Sequence, residues 1–217
     1  MNLPKEKKEL KKEYFSWLNK NQENRKPIIS NAIDAIYNIY YNQFDSTDLQ
    51  NLKKGLELNH TICWGLGEHV NRFAESNEIL MNLIKELSKH SSSKVRLNII
   101  TNCLYDKPKK LIDNLLLEAL NDKSKKVRLK ACDVLLRLNK EKLAYKLLER
   151  TKIETDKETK KTLIWTYELL SKKWSYDSDR IFVSVNMENG EIHGFIPENK
   201  NDIEWIEKRV KEIRNEN

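Results

Sequence analysis

The chain has 217 residues, of which 39% are hydrophobic and 34% charged, and its formal net charge is +7. Five glycines and four prolines are few, which favours helices joined by short polar loops over a many-stranded sheet. No run of about 18 apolar residues occurs, so we expect no membrane span. The odd number of cysteines, three, favours a reducing cytoplasm over a disulfide framework.

The N-terminal region, residues 1–46, predicts two helices. Pro4 suits the first turn of a charged helix over residues 4–19, and Pro27 begins a second helix. Apolar residues follow at helical spacing in the second helix, namely Ile29, Ala32, Ile33, Ile36, Ile39 and Tyr40. We expect this pair to cap one end of the fold.

Residues 47–175 contain a repeat of 32 residues. Val95-Arg96-Leu97 recurs as Val127-Arg128-Leu129, and Leu83-Ile84 aligns with Leu115-Leu116. Each unit predicts two amphipathic helices, because apolar residues recur at spacings of three and four. We place the helix pairs near 47–73, 79–105, 110–137 and 141–171. One pair alone cannot bury its apolar faces, so the pairs must stack on one another.

Residues 176–217 depart from this pattern. Residues 180–196 alternate around Asn189-Gly190, a strong signal for a β-hairpin with a two-residue turn. That turn would pair Met187 with Ile192, and a helix would begin near Asn201. The apolar face would then comprise Ile181, Val183, Val185, Met187, Ile192 and Ile196. Two interpretations stay open: the hairpin and helix cap the repeats, or an edge strand recruits a partner by strand addition.

Residues 120–131 resemble the HEAT-like repeat family. The resemblance lies in an Asp-containing turn (Asp122), the pair Val127-Arg128, and Ala131 three residues after the arginine. By spacing it extends over residues 47–171. The predicted fold class is therefore all-α, a right-handed α-solenoid of helix pairs with a small C-terminal β-hairpin and helix. The domains are residues 1–46, 47–175 and 176–217. The resemblance implies that Asp122 and Arg128, together with Arg96, are structural residues of a ladder between units.

The resemblance also implies that the second helices line a concave face. On that face we expect a binding groove with a basic excess, since residues 93–130 carry 10 basic and 4 acidic residues. The predicted groove residues are Lys94, Asn98, Thr101, Lys126, Lys130, Asp133, Arg137 and Trp165.

Sequence motifs for chemistry are scarce. Gly65-Leu66-Gly67 lacks the third glycine of a phosphate-binding loop, and it suits a place where helices pack closely. The histidines and cysteines lack the spacing of metal ligands, so we expect no metal and no cofactor. Trp64, Glu68 and Arg72 share one helix face, where we expect Glu68 and Arg72 to form an ion pair.

These observations predict a non-enzymatic scaffold that binds a protein partner. The alternative is a nucleic-acid-binding protein that uses the basic groove. In length, repeats and charge the chain resembles HEAT-like alkylpurine DNA glycosylases, a family that works with an acid and aromatic residues in the groove. On that alternative Asp133 and Trp165 are the candidate catalytic residues.

Overall fold

The computed structural model describes residues 6–18, 20–58, 60–198 and 202–214. In these residues the chain forms eleven α-helices and one three-stranded sheet. It divides into two compact units, residues 1–115 and residues 116–217. The predicted class, helical repeats with a small C-terminal β element, is therefore confirmed.

In its described residues the first unit contains six complete helices and the start of a seventh. A 3₁₀ segment at Lys20–Arg25 precedes the second helix, and another at Cys103–Tyr105 follows the sixth. The helices are α1 Lys7–Ser16, α2 Lys26–Tyr40, α3 Ser46–Leu56, α4 His60–Ala74, α5 Glu78–Ser88, α6 Ser93–Asn102 and α7 Lys109–Leu120, the last of which crosses the boundary between units.

The second unit contains the remaining helices and the sheet. A 3₁₀ segment at Glu141–Leu143 leads into the second of its helices. The elements are α8 Lys125–Arg137, α9 Ala144–Thr151, α10 Lys157–Ser171, β1 Trp174–Asp177, β2 Phe182–Asn186, β3 Ile192–Phe195 and α11 Ile203–Arg214.

The four predicted helix pairs are α3/α4, α5/α6, α7/α8 and α9/α10. Side-chain caps fix where several of these helices begin, because they satisfy backbone N–H groups that have no partner inside the helix. Asp45 forms a capping box with Asp48 at α3, and Asn77 accepts the N–H groups of Ile79 and Leu80 at α5. The helix boundaries thus follow from local sequence as well as from packing.

The apolar stripes predicted from the sequence form the cores. In the first unit the stripe of α2 is buried from Ile29 to Ile39, and Leu52, Leu56, Ile62 and Leu66 are fully buried in α3 and α4. In the second unit Val127, Val134 and Leu135 of α8 are buried, as are Leu163 and Leu170 of α10.

The two glycines of α4 lie where other side chains approach its backbone. A Cβ on Gly67 would stand 1.9 Å from the Nδ2 atom of Asn102 in α6. A Cβ on Gly65 would stand 2.7 Å from the hydroxyl of Tyr14 in α1. The Gly-x-Gly sequence therefore serves close helix packing, as expected.

The sheet has the strand order β1-β2-β3, and both neighbouring pairs are antiparallel. One face packs on α11, where Val183 and Val185 join Ile206 and Val210 in a buried cluster. The other face lies against α10 at one end, where the Asn186 side chain donates to the carbonyl oxygen of Leu169 at 3.1 Å. The third strand, β1, was not predicted from the sequence.

The hairpin differs from its predicted register by one residue. Asn186, not Met187, is opposite Ile192. The reason is a three-residue loop: Met187 N–H donates to Glu191 O at 2.9 Å, and Gly190 adopts a left-handed conformation with φ of 79°. A shift of one residue moves side chains to the opposite face, so Phe195 packs on the α11 cluster while Ile192 and Ile196 are exposed.

Among the helices of the described residues, none is both long enough and apolar enough to cross a membrane.

Candidate functional site

The turn inside successive helix pairs contains the same hydrogen bond. A side chain accepts the backbone N–H of the residue two positions later, which closes the loop before the second helix. The acceptor and donor residues are His90 and Ser92 (3.1 Å), Asp122 and Ser124 (2.7 Å), and Glu154 and Asp156 (3.1 Å). The acceptors are 32 residues apart, so the sequence repeat is also a repeat of polar contacts.

Arg128 is held by the turn before it and by the following helix pair. Its Nη1 donates to the carbonyl oxygens of Asp122 (2.8 Å) and Lys123 (3.3 Å). Its Nε and Nη2 donate to the two carboxylate oxygens of Glu154 at 2.8 and 3.0 Å. Such a bidentate ion pair fixes both position and orientation. Arg128 therefore acts as a structural link from one helix pair to the next.

Glu154 completes this link and was missed in the sequence. Its side chain is 1% exposed and also contacts Arg150 Nη2 at 3.1 Å. Burial alone would raise the pKa of Glu154. The N–H of Asp156 and the two arginines lower it by more than burial raises it, so the net shift is downward. The signal that could have found it is position, because Glu154 follows Asp122 by one repeat length.

Arg96 repeats part of this arrangement in the first unit. Its Nη1 donates to the carbonyl oxygens of His90 at 2.6 Å and Ser91 at 2.9 Å. These contacts correspond to those of Arg128 with Asp122 and Lys123. Arg96 and Arg128 are both buried, and each donates to carbonyl oxygens of the turn before its helix.

A cluster of aromatic and charged side chains lies on the first unit, and we call Trp64, Glu68, Arg72 and Tyr105 the α4 cluster. Trp64, Glu68 and Arg72 follow each other at four-residue intervals along one face of α4. Glu68 and Arg72 form the expected ion pair. The Tyr105 ring centroid lies 6.0 Å from that of Trp64 and 6.0 Å from the guanidinium carbon of Arg72.

The environment of Tyr105 favours its neutral form. Partial burial raises the pKa of its hydroxyl, and the neighbouring Glu68 raises it further through its charge and a hydrogen bond. The phenol therefore stays protonated at physiological pH and can donate a hydrogen bond. Tyr105 remains 36% exposed, so its ring is accessible as well as held in place.

Comparison with protein families identifies the central segment. Residues 80–168, which run from α5 into α10, match the family described as HEAT repeats. The match covers less than half of the chain. Comparison with curated proteins and with solved structures found no match.

The predicted groove residues of α6 do not share one environment. Lys94 is exposed and lines a surface cavity of about 490 Å³ together with Arg25, near the start of α6. Asn98 and Thr101 are 1% and 8% exposed, unlike the open positions expected for them. The reason is that α6 packs on α4 and α5. A binding role for these residues stays a prediction.

The predicted groove residues of α8 form ion pairs along the helix. Asp133 accepts from Lys130 Nζ at 2.8 Å and from Arg137 Nε at 2.9 Å. Burial tends to raise the pKa of Asp133, but these two partners lower it overall. Asp133 is thus a weak base at neutral pH. Lys126 is exposed, and Trp165 on α10 is half-buried.

The described residues hold no cluster of three or more histidine, cysteine, aspartate or glutamate side chains that could bind a metal ion. The thiols of Cys63 and Cys132 are buried, which raises the pKa of each to about 12. A thiol with such a pKa is a poor nucleophile at neutral pH.

Proposed function

We propose that this chain is a non-enzymatic scaffold that binds a protein partner through the α4 cluster. HEAT repeats generally serve as scaffolds for protein interactions, and the matched segment, residues 80–168, includes Tyr105 of the cluster. The observation that supports this particular surface is the contact of Trp64, Arg72 and Tyr105 on the outside of the first unit.

The composition of the cluster suits an interface. Tryptophan, tyrosine and arginine are the residue types most enriched among those whose truncation costs most binding energy. The ion pair with Glu68 holds Arg72, and Arg72 in turn lies over the Tyr105 ring. A surface whose side chains are already ordered loses less conformational entropy when it binds.

The charge of the chain that follows Tyr105 indicates which charge the partner carries. Lys109 and Lys110 follow Tyr105 along the chain, and both are exposed. Both lysines lie in residues 93–130, a segment with a strong excess of basic over acidic residues. We therefore infer a partner segment with an aromatic or apolar anchor beside acidic residues.

The alternative of phosphate binding has less support. Lys125 pairs with Asp156 at 3.1 Å and with Glu158, and Lys130 and Arg137 both pair with Asp133. Lysine and arginine side chains that already form ion pairs release fewer counterions when they bind a nucleic acid, so they contribute less to its affinity.

The test compares Tyr105→Ala with Tyr41→Ala. Tyr41 is a matched control because it is also an exposed tyrosine of the first unit, with 60% of its surface exposed. Proteins captured by the wild-type chain are identified, purified and titrated against all three proteins by calorimetry. We expect Tyr105→Ala to weaken binding of the partner about tenfold or more, as for a central interface residue, and Tyr41→Ala to bind like wild type.

A partner that binds Tyr105→Ala and Arg72→Ala as tightly as it binds wild type would show that the α4 cluster is not the interface. Circular dichroism of each variant establishes that lost binding does not reflect lost folding.

A further inference from the structure

The sheet of the second unit exposes an apolar strip on the face opposite α11. Where α10 covers this face, the side chains are polar and buried, as at Ser184 and Asn186. Beyond α10 the same face carries Phe182 (38% exposed), Ile192 (38%) and Ile196 (72%). Three large apolar side chains on one side of a small sheet mark an interaction surface.

The strip lies beside an unpaired strand edge. In the part of the chain that the structure describes, β3 pairs only with β2. The hydrogen bonds of β2 show which backbone groups of β3 point outward. Asn186 of β2 directs its backbone groups towards β1, because its N–H donates to Lys173 O. Val185 then faces β3 and forms the hydrogen-bonded pair with His193. The N–H and C=O groups of Ile192 and Gly194 consequently point away from the sheet.

This edge lacks the usual protection against further pairing. Exposed edge strands generally carry lysines, inward charges or prolines that prevent association. β3 carries no lysine and no proline, and it is followed by Ile196 and Pro197. The proline restricts Ile196 to extended conformations, so the outward-facing series continues through Ile196.

We propose that two copies of this chain associate through antiparallel pairing of β3 with β3 of the second copy, on a two-fold axis at Gly194. In this register Gly194 is opposite Gly194, and Ile192 is opposite Ile196, in both directions. All three are positions whose backbone groups point outward, so six hydrogen bonds form. The result is a six-stranded sheet.

Symmetry and side chains favour a second copy as the occupant. A two-fold interface needs a surface that is complementary to itself, and this register sets isoleucine against isoleucine with no like charges opposed. If the two β3 strands shift by two residues relative to each other, at least one pair of residues with outward-pointing backbone groups is lost. The exposed strip of each copy would continue into that of the other.

Phe182 gives this register a further contact. A Cβ on Gly194 would stand 2.2 Å from the Phe182 ring, so the ring lies over the glycine. Paired residues in such a ladder are about 5.5 Å apart. Two rings over paired glycines are therefore within the range of about 4.5–7 Å at which aromatic side chains contact.

The first experiment measures molecular mass by light scattering at protein concentrations from about 1 µM to about 500 µM. We expect the mass to rise with concentration from 25.8 kDa towards twice that value. Ile196→Lys should raise the dimer dissociation constant about tenfold or more, because it places a charge in the strip. Ile153→Lys is the matched control, since Ile153 is 67% exposed outside the sheet, and it should leave the constant unchanged.

Ile192→Pro tests the backbone contact. Its N–H points away from β2, so the monomer keeps its own ladder, and proline is tolerated at such an edge position. The dimer would lose both symmetric N–H donors and should weaken about tenfold or more. Circular dichroism verifies that both edge variants remain folded.

His193→Cys tests the register. The His193 side chain is 54% exposed, and the native cysteines are buried, so a short bis-maleimide reacts selectively at the new position. Two copies of residue 193 would lie roughly 8 Å apart across the axis, and we expect a cross-linked dimer that Ile192→Pro abolishes. A mass of one chain at every concentration would overturn the proposal, and so would a dimer unaffected by both edge variants.

Discussion

Glu154 is the acceptor for buried Arg128 and for partly buried Arg150. Replacing it with alanine leaves Arg128 and Arg150 without their carboxylate, and an unpaired buried charge is costly. We expect Glu154→Ala to lower the free energy of unfolding by about 3 kcal/mol, measured by urea denaturation. Glu158→Ala is the control, because the Glu158 side chain is 75% exposed and its ion pair should matter little. Equal stabilities of the two variants would contradict this account.

Asp156 couples the stability of α10 to pH. The N–H and hydroxyl of Thr159, then Lys125, lower the pKa of Asp156 from 3.8 to about 2. Its ionised form is thus favoured in the folded state, so its contribution is present above about pH 4 and is lost as pH falls towards 2.

The check is the melting temperature of wild type and Asp156→Ala between about pH 6 and pH 2. We expect the variant to melt lower at pH 6 and the difference to shrink as the pH falls through this window. A difference that stays constant with pH would show that the carboxylate charge is not what stabilises the helix.

At the scale of elements, the contact of α4 with α6 depends on Gly67. Alanine there gains helix propensity of about 1 kcal/mol, but its Cβ would collide with the Asn102 amide, and overpacking of a buried contact costs about 1–3 kcal/mol. We expect Gly67→Ala to be destabilising by thermal melting. Adding Asn102→Ala removes the obstructing amide, so Gly67→Ala should be less costly, or stabilising, in that background. If the effects of the two substitutions on stability are simply additive, the collision between the new Cβ and the Asn102 amide is not the cause of the destabilisation.

Helix positions were predictable from the sequence, whereas the sheet was predicted only in part. Apolar residues that recur at helical spacing, as in α2, lie on one face of the helix, and that face is the one that packs into the core. The hairpin signal at Asn189-Gly190 was correct, but its loop length depends on the left-handed conformation of Gly190. Gly190 lies against the backbone of Arg137, a tertiary contact that local sequence does not contain. β1 was missed because Trp174–Asp177 is too short to show a pattern.

At the scale of the whole molecule, a net charge of +7 does not by itself make a nucleic-acid-binding protein. We expect weak, strongly salt-dependent binding of labelled DNA and RNA by fluorescence anisotropy, with little change on Asp133→Asn. Tight binding at physiological salt, lost on charge reversal of Lys94 and Lys126, would instead favour the alternative function.

The candidate site was partly visible in the sequence. The spacing of Trp64, Glu68 and Arg72 placed them on one helix face, and the ion pair was expected. The contact with Tyr105 was not, because it depends on how α6 ends in a 3₁₀ turn, with Asp106 in a left-handed conformation. The burial of Asn98 similarly depends on which helices flank α6, and a single amphipathic pattern does not specify that.

The link between Arg128 and Glu154 has a consequence for how such a chain can grow. A duplication of residues 123–154 would copy one donor together with one acceptor. The inserted arginine would find its carboxylate within the same inserted copy, so the junction would leave neither residue without its ion-pair partner. Gene duplication can therefore lengthen the array one module at a time without a compensating mutation, whereas a deletion that removes only one of the two residues cannot be neutral.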